Sequence, residues 1–214
     1  YTRHEDGRRD ELRSHLEIVD RGLAWPAARE RDADLVAIMM NPGGSRPLTD
    51  LDPQGWASAM PDRTQYQLMK LALGDAHRPI RHIRVLNLSD LRTPKSAELF
   101  ERLPRLGDWH SIFCPARSDE LRRALGAPRT PVLLAWGMSK VLAGLAAQAL
   151  AATAAHPRLG LSTDGLAFRH PLPQRADLQR QWLEAVSQQK VRLLEIAGHK
   201  RGIILCSLEG CPSG

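Results

Sequence analysis

Leu35-Val36-Ala37-Ile38-Met39-Met40-Asn41-Pro42-Gly43-Gly44 is an unbroken apolar run closed at once by turn formers. Such a run, too short for a buried helix, predicts a strand covered on both faces and then a loop. Strands of that kind belong to mostly parallel sheets. Two further runs read the same way, 83–88 closing in Asn87-Leu88-Ser89-Asp90 and 132–136 closing at Gly137. A fourth, short strand over 166–168 leads into His170-Pro171-Leu172-Pro173. Helical patterns lie between them. Residues 64–73 have Thr64 as N-cap and Gly74 just past the end. Thr93-Pro94 opens another helix, with Pro where its missing N–H costs nothing. Residues 118–125, 139–152 and 176–196 complete the set. Near the N-terminus, Leu12, Leu16, Val19 and Leu23 share one face of a helix over 10–23. The expectation is α/β: one three-layer domain over 1–200 with a central, mostly parallel four-stranded sheet and helices on both faces. Residues 202–206 read as an edge strand within a loose tail, 201–214.

Composition narrows the function classes. The 214 residues are 43% hydrophobic and 25% charged, which fits a folded core and excludes wholesale disorder. No run is long enough to span a membrane. The first residues carry charge with no apolar stretch behind them, so no secretory leader is expected. Cys114, Cys206 and Cys211 show no Cys-x-x-Cys spacing, which points to a reducing, cytoplasmic setting without a zinc or iron–sulfur centre. A net charge of +6, carried mostly by Arg, suits a polyanionic partner, though a basic surface alone accounts for it too.

Ligands of parallel sheets sit at the carboxyl ends of the strands. That rule selects 41–45, 87–92, 137–140 and 170–175. Each loop has a plain reading and a functional one. Asn41-Pro42-Gly43-Gly44 is ordinary turn chemistry, or a backbone open to a phosphate or a polarised water. Asn87 caps a turn or reads the edge of a base. His170 is a surface residue or a donor. Trp136 reads as core, whereas Trp56, in the long polar loop after residue 44, reads equally as a stacking platform. His77, His82, His110 and His156 lack metal-ligand spacing.

Taken in order, these motifs resemble the uracil-DNA glycosylase superfamily: Met39-Met40-Asn41-Pro42-Gly43, Val85-Leu86-Asn87, Leu133-Leu134-Ala135-Trp136-Gly137 and His170-Pro171-Leu172-Pro173. Asn41-Pro42, Asn87-Leu88, Ala135-Trp136-Gly137 and the segment from Leu161 to Leu172 also resemble a bacterial domain family of unassigned function. The likeness covers about residues 34 to 175. Met39 stands where the superfamily carries Gly, and Leu172 replaces Ser of the His-Pro-Ser-Pro form. Asn41 stands where the strict uracil enzymes carry Asp, as in the mismatch-specific branch. An amide takes no proton, so Asn41 would position water and not deprotonate it.

The resemblance implies a monofunctional DNA glycosylase, monomeric and without metal or organic cofactor. Asn41 and His170 would be catalytic, His170 donating to the leaving base. Met40, Pro42, Gly43, Gly44, Trp56 and Asn87 would hold the flipped base. Arg46, Arg92, Arg169 and Arg175 would grip phosphates, with Leu172 and Gln174 filling the vacated stack. The strict uracil enzymes place a Tyr against pyrimidine C5, and Gly43 stands there in this chain. The open wall implies a C5-substituted pyrimidine, such as a hypermodified bacteriophage cytosine, and a defence role. A non-catalytic nucleotide- or nucleic-acid-binding module and a nucleosidase acting on free nucleosides are the alternatives.

Overall fold

The computed structural model describes residues 2–5, 8–74 and 79–199. The expected edge strand at 202–206, the tail cysteines Cys206 and Cys211, and His77 lie outside them. An antiparallel pair, β1 (Thr2–Glu5) and β2 (Arg8–Glu11), precedes the main sheet. That sheet has the order β3 (His15–Val19), β5 (His82–Asn87), β4 (Leu35–Met39), β6 (Val132–Leu134), β7 (Arg158–Leu159). The last four run parallel, and β3 is antiparallel to β5.

Three layers result, as the apolar runs require. Val36, Ile38, Leu86, Val132 and Leu134 face one side, where α4 (Ser118–Leu125) and α5 (Ala143–Ala152) cover them through Leu121, Leu125, Ala146 and Ala149. Leu35, Ala37, Met39, Val85 and Leu133 face the other, under α2 (Arg63–Leu73) and α6 (Ala176–His199), which contribute Leu68, Leu71, Trp182 and Val186. Two short helices, α1 (Trp25–Glu30) and α3 (Ser96–Arg102), precede β4 and follow β5 in the chain.

Several expectations are corrected. The sheet is five-stranded and mixed, not four-stranded. The segment expected as a helix over 10–23 is extended and contains β3. There Leu16 and Ile18 pack on the α2/α6 side, while Glu17 points the other way. Glu17 accepts from Arg84 Nε at 2.6 Å and pairs with His82 Nε2 at 2.6 Å. One buried carboxylate on the strand thus pairs with two buried basic groups of β5, which offsets their desolvation. Helix α2 is capped by Asp62, not Thr64: Asp62 Oδ1 accepts from the Gln65 amide at 2.9 Å, and Gln65 Oε1 accepts from the Asp62 amide at 3.1 Å. Helix α3 starts at Ser96, beyond Pro94. Residues 166–168 make only single bridges, Phe168 facing Gly137 and Ser162, and β7 takes the edge instead. Gly160 follows β7 with φ +143°, and a Cβ there would lie 2.5 Å from the Leu134 carbonyl oxygen. Only glycine lets the chain cross β6 so closely.

Behind the β5 end, His110 is buried and its Nδ1 lies 2.9 Å from Ser89 Oγ. Burial pushes the His110 pKa down to about 4. The folded state therefore holds the imidazole neutral while the unfolded chain binds a proton below its ordinary value of 6.5. Stability present above pH 6.5 is lost as pH falls towards 4, by up to about 3 kcal/mol. Urea unfolding at pH 7 and pH 5 should show this slope, and His110→Gln should reduce it, leaving the part due to His15 and His170, which burial also holds below their ordinary pKa. An unchanged slope in the variant would refute the assignment.

Candidate functional site

Strands β4 and β5 pair so that Met39 sits opposite Asn87, and both chains then leave the sheet together. The amides of Leu88 and Ser89 donate to the carbonyls of Met39 and Met40, at 2.8 and 3.1 Å, tying the two exit loops side by side. A cavity of about 290 Å³ opens where they diverge, near the lower end of small-molecule sites (roughly 300–1,000 Å³). Met40, Asn41, Pro42, Gly43, Gly44, Asn87 and His170 all line it. These are the expected base-pocket and catalytic residues, with Trp56 missing.

Asn87 is 0% exposed, and neither its Oδ1 nor its Nδ2 has a hydrogen-bond partner among the described residues. A buried amide is normally satisfied on both atoms. Here both are left without partners among the described residues, in a residue that lines the cavity. Asn41 is different. Its Nδ2 donates to Thr93 O and Thr93 Oγ1 at 2.9 Å each, with Leu91 O at 3.3 Å. The amide is thereby oriented, and Oδ1 remains as an acceptor for a ligand or water. An Asp at this position would set a carboxylate against two carbonyl oxygens, which supplies a local reason for the amide.

His170 reaches the cavity from a loop pinned on both sides. The amide of Gly137 donates to Phe168 O at 2.7 Å, and Trp182 Nε1 donates to Arg169 O at 3.0 Å. The amide of Leu172 donates to His170 Nδ1 at 3.1 Å. An accepting Nδ1 fixes the neutral tautomer with its proton on Nε2. Burial pulls the His170 pKa below its ordinary value, with the Asp62 carboxylate opposing. Any activity that needs the Nε2–H donor of neutral His170 should stay flat as pH falls through 6.5 and decline only below it. An acid limb centred at or above 6.5 would contradict this.

Two charged residues of the cavity escaped the sequence reading. Asp62 is the only carboxylate lining it among the described residues, and Arg13 the only Lys or Arg. Asp62 Oδ2 lies 3.4 Å from where a Cβ on Gly43 would stand. Asp62 had a visible signal, the Asp-x-x-Gln capping pattern. Arg13 had none. Gly43 has φ +64°, so its backbone conformation is one reason for glycine there, beyond any missing wall. Gly44 has open space about its Cβ position.

Outside the cavity, Trp56 packs edge-on against His15 and Trp25, with ring centroids 4.8 and 5.0 Å apart, and Arg29 lies over its face. It is a packing residue of the N-terminal corner. Arg92 is bound to Glu11 at 2.6 Å and Arg175 to Asp177 at 2.6 Å. Arg46, Arg169 and Gln174 are exposed and Leu172 is half-buried. Among the described residues, no group of three His, Cys, Asp or Glu side chains is placed to hold a metal ion. No helix there is long and apolar enough to cross a membrane. The chain matches no protein-family model, no curated protein and no solved structure.

Proposed function

We propose that this protein is a monofunctional DNA glycosylase acting on a flipped-out pyrimidine, one that tolerates or requires a group at C5. The observation that carries the reading is the buried amide of Asn87, without a hydrogen-bond partner among the described residues, at a cavity shared with Asn41 and His170. An amide offering one acceptor and one donor complements the edge of a pyrimidine, which presents a donor beside an acceptor. Gly44, with open space at its Cβ position, leaves room for a C5 group.

In the reaction, the C1′–N bond breaks with its electron pair going to the base. Water, held at Asn41 Oδ1, bonds to C1′. The proton it loses passes to Asp62, the cavity's carboxylate, and the Nε2–H of His170 donates to the base carbonyl as charge builds there. No lysine lines the cavity among the described residues, so a Schiff base and strand nicking are not expected. Hypermodified phage cytosines fall within this substrate class, which would make the protein a cytoplasmic defence enzyme working as a monomer.

The test is to incubate the protein with DNA carrying uracil, mismatched thymine or C5-substituted cytosine and to score alkali-labile sites. Breaks appearing only after alkali support the proposal. Faster cleavage of free nucleosides than of oligonucleotides would make the protein a nucleosidase. Base binding with no cleavage of any substrate would make it a binding module.

A further inference from the structure

Arg13 sits on the short extended segment between β2 and β3, its backbone amide donating to Asp90 O at 2.9 Å. Arg13 is one of the residues lining the cavity, and its Nε and Nη1 are buried without a hydrogen-bond partner among the described residues. Neighbouring arginines are treated differently. Arg92 holds Glu11, Arg102 holds Asp10 and Arg117 holds Asp90, each at 2.6 Å. Each of these three guanidinium groups has a carboxylate partner, although Arg92 Nε is also buried without one among the described residues. Arg13 has Asp62 and Asp90 only as nearby charges, and Arg92 opposes them. Burial outweighs the attraction and lowers the Arg13 pKa to about 10. A half-buried cation with two buried donors left unmatched is costly unless something else completes it.

We propose that Arg13 is an oxyanion receptor, so that the ligand brings a phosphate or carboxylate oxygen into the same cavity in which Asn87 reads the base edge. This rests on the base-pocket reading above. Two sources share the chemistry: the phosphate of the flipped nucleotide, or an acidic group carried by the base. A guanidinium recognises either, because both present anionic oxygens to its donors.

Calorimetry on the intact protein with two matched pairs separates them: deoxyuridine against deoxyuridine 5′-monophosphate, and cytosine against 5-carboxycytosine. In at least one pair the anionic member should bind roughly 10- to 100-fold more tightly. Added NaCl should shrink that preference and leave the neutral members unchanged. Arg13→Met should abolish it, and Arg13→Lys should keep part of it. A preference in the first pair assigns the phosphate; one in the second assigns a base-borne acid. Neutral and anionic members binding alike would overturn the anion role and leave the base pocket standing, as would a preference that survives Arg13→Met. Binding by none of the four compounds would overturn the base pocket itself, and this inference with it.

Discussion

Replacing Asp62 by Asn is expected to leave the fold intact and to lower single-turnover cleavage by roughly 10²- to 10⁴-fold. The two outcomes separate because Asp62 has two oxygens with different tasks. Oδ1 caps α2 by accepting from the Gln65 amide. Asn caps helices about as well as Asp, so unfolding free energy should change by no more than about 0.5 kcal/mol. The carboxylate itself is what disappears. Asn41 cannot replace it, since its Nδ2 is committed to Leu91 and Thr93 and an amide oxygen does not take a proton near neutrality. Chemical quench of a preformed enzyme–DNA complex measures the step directly, and urea unfolding measures the cap. A fully active Asp62→Asn protein would reduce Asp62 to a capping residue and remove the proton acceptor from the proposed mechanism. Loss of stability together with loss of rate would point to the same conclusion.

What the sequence made legible was local. β4 announces itself because Leu35 to Met39 are all buried, so nothing polar interrupts the run. Asn87 was visible because it is the first amide after an apolar strand. β3 was not, because the spacing of Leu12, Leu16 and Val19 suits a helix as well as its own alternation suits a strand. The choice was made by β5, whose His82 and Arg84 needed Glu17 across the sheet. Arg13 was lost for the same reason, since a residue on a presumed surface helix gives no hint of a cavity. The two residues of β7 are too few to carry a period, while 166–168 looks more strand-like but spends its pairing on single bridges to Gly137 and Ser162. Trp56 misled in the opposite direction. An aromatic in a polar loop resembles a stacking platform until Trp25 and His15 are seen against it. Pairings distant in sequence decided every one of these cases.

Asn87→Leu should make the protein more stable and nearly inactive, and the opposite signs are the point. In the wild type both amide atoms of Asn87 are buried without partners among the described residues. Burying such a group costs about 1–3 kcal/mol judged from protein mutations. Leu has similar size and places no polar atom in the cavity, so most of that cost should be recovered on folding. Apolar neighbours are already at hand, with Leu68, Met39 and Val85 lining the same cavity. Cleavage should fall by roughly 10²-fold or more, because the base then loses both of its edge contacts and its orientation over the water. If Asn87 were only a structural residue, its removal would instead destabilise the fold, and any loss of activity would track the unfolded fraction. Chemical denaturation and single-turnover kinetics on the same preparation distinguish the two cases. A variant that is both less stable and proportionately less active would sink the assignment of Asn87 as the base reader. A more stable protein that has lost turnover would mean that this amide is kept at a cost to the fold, for the sake of a ligand.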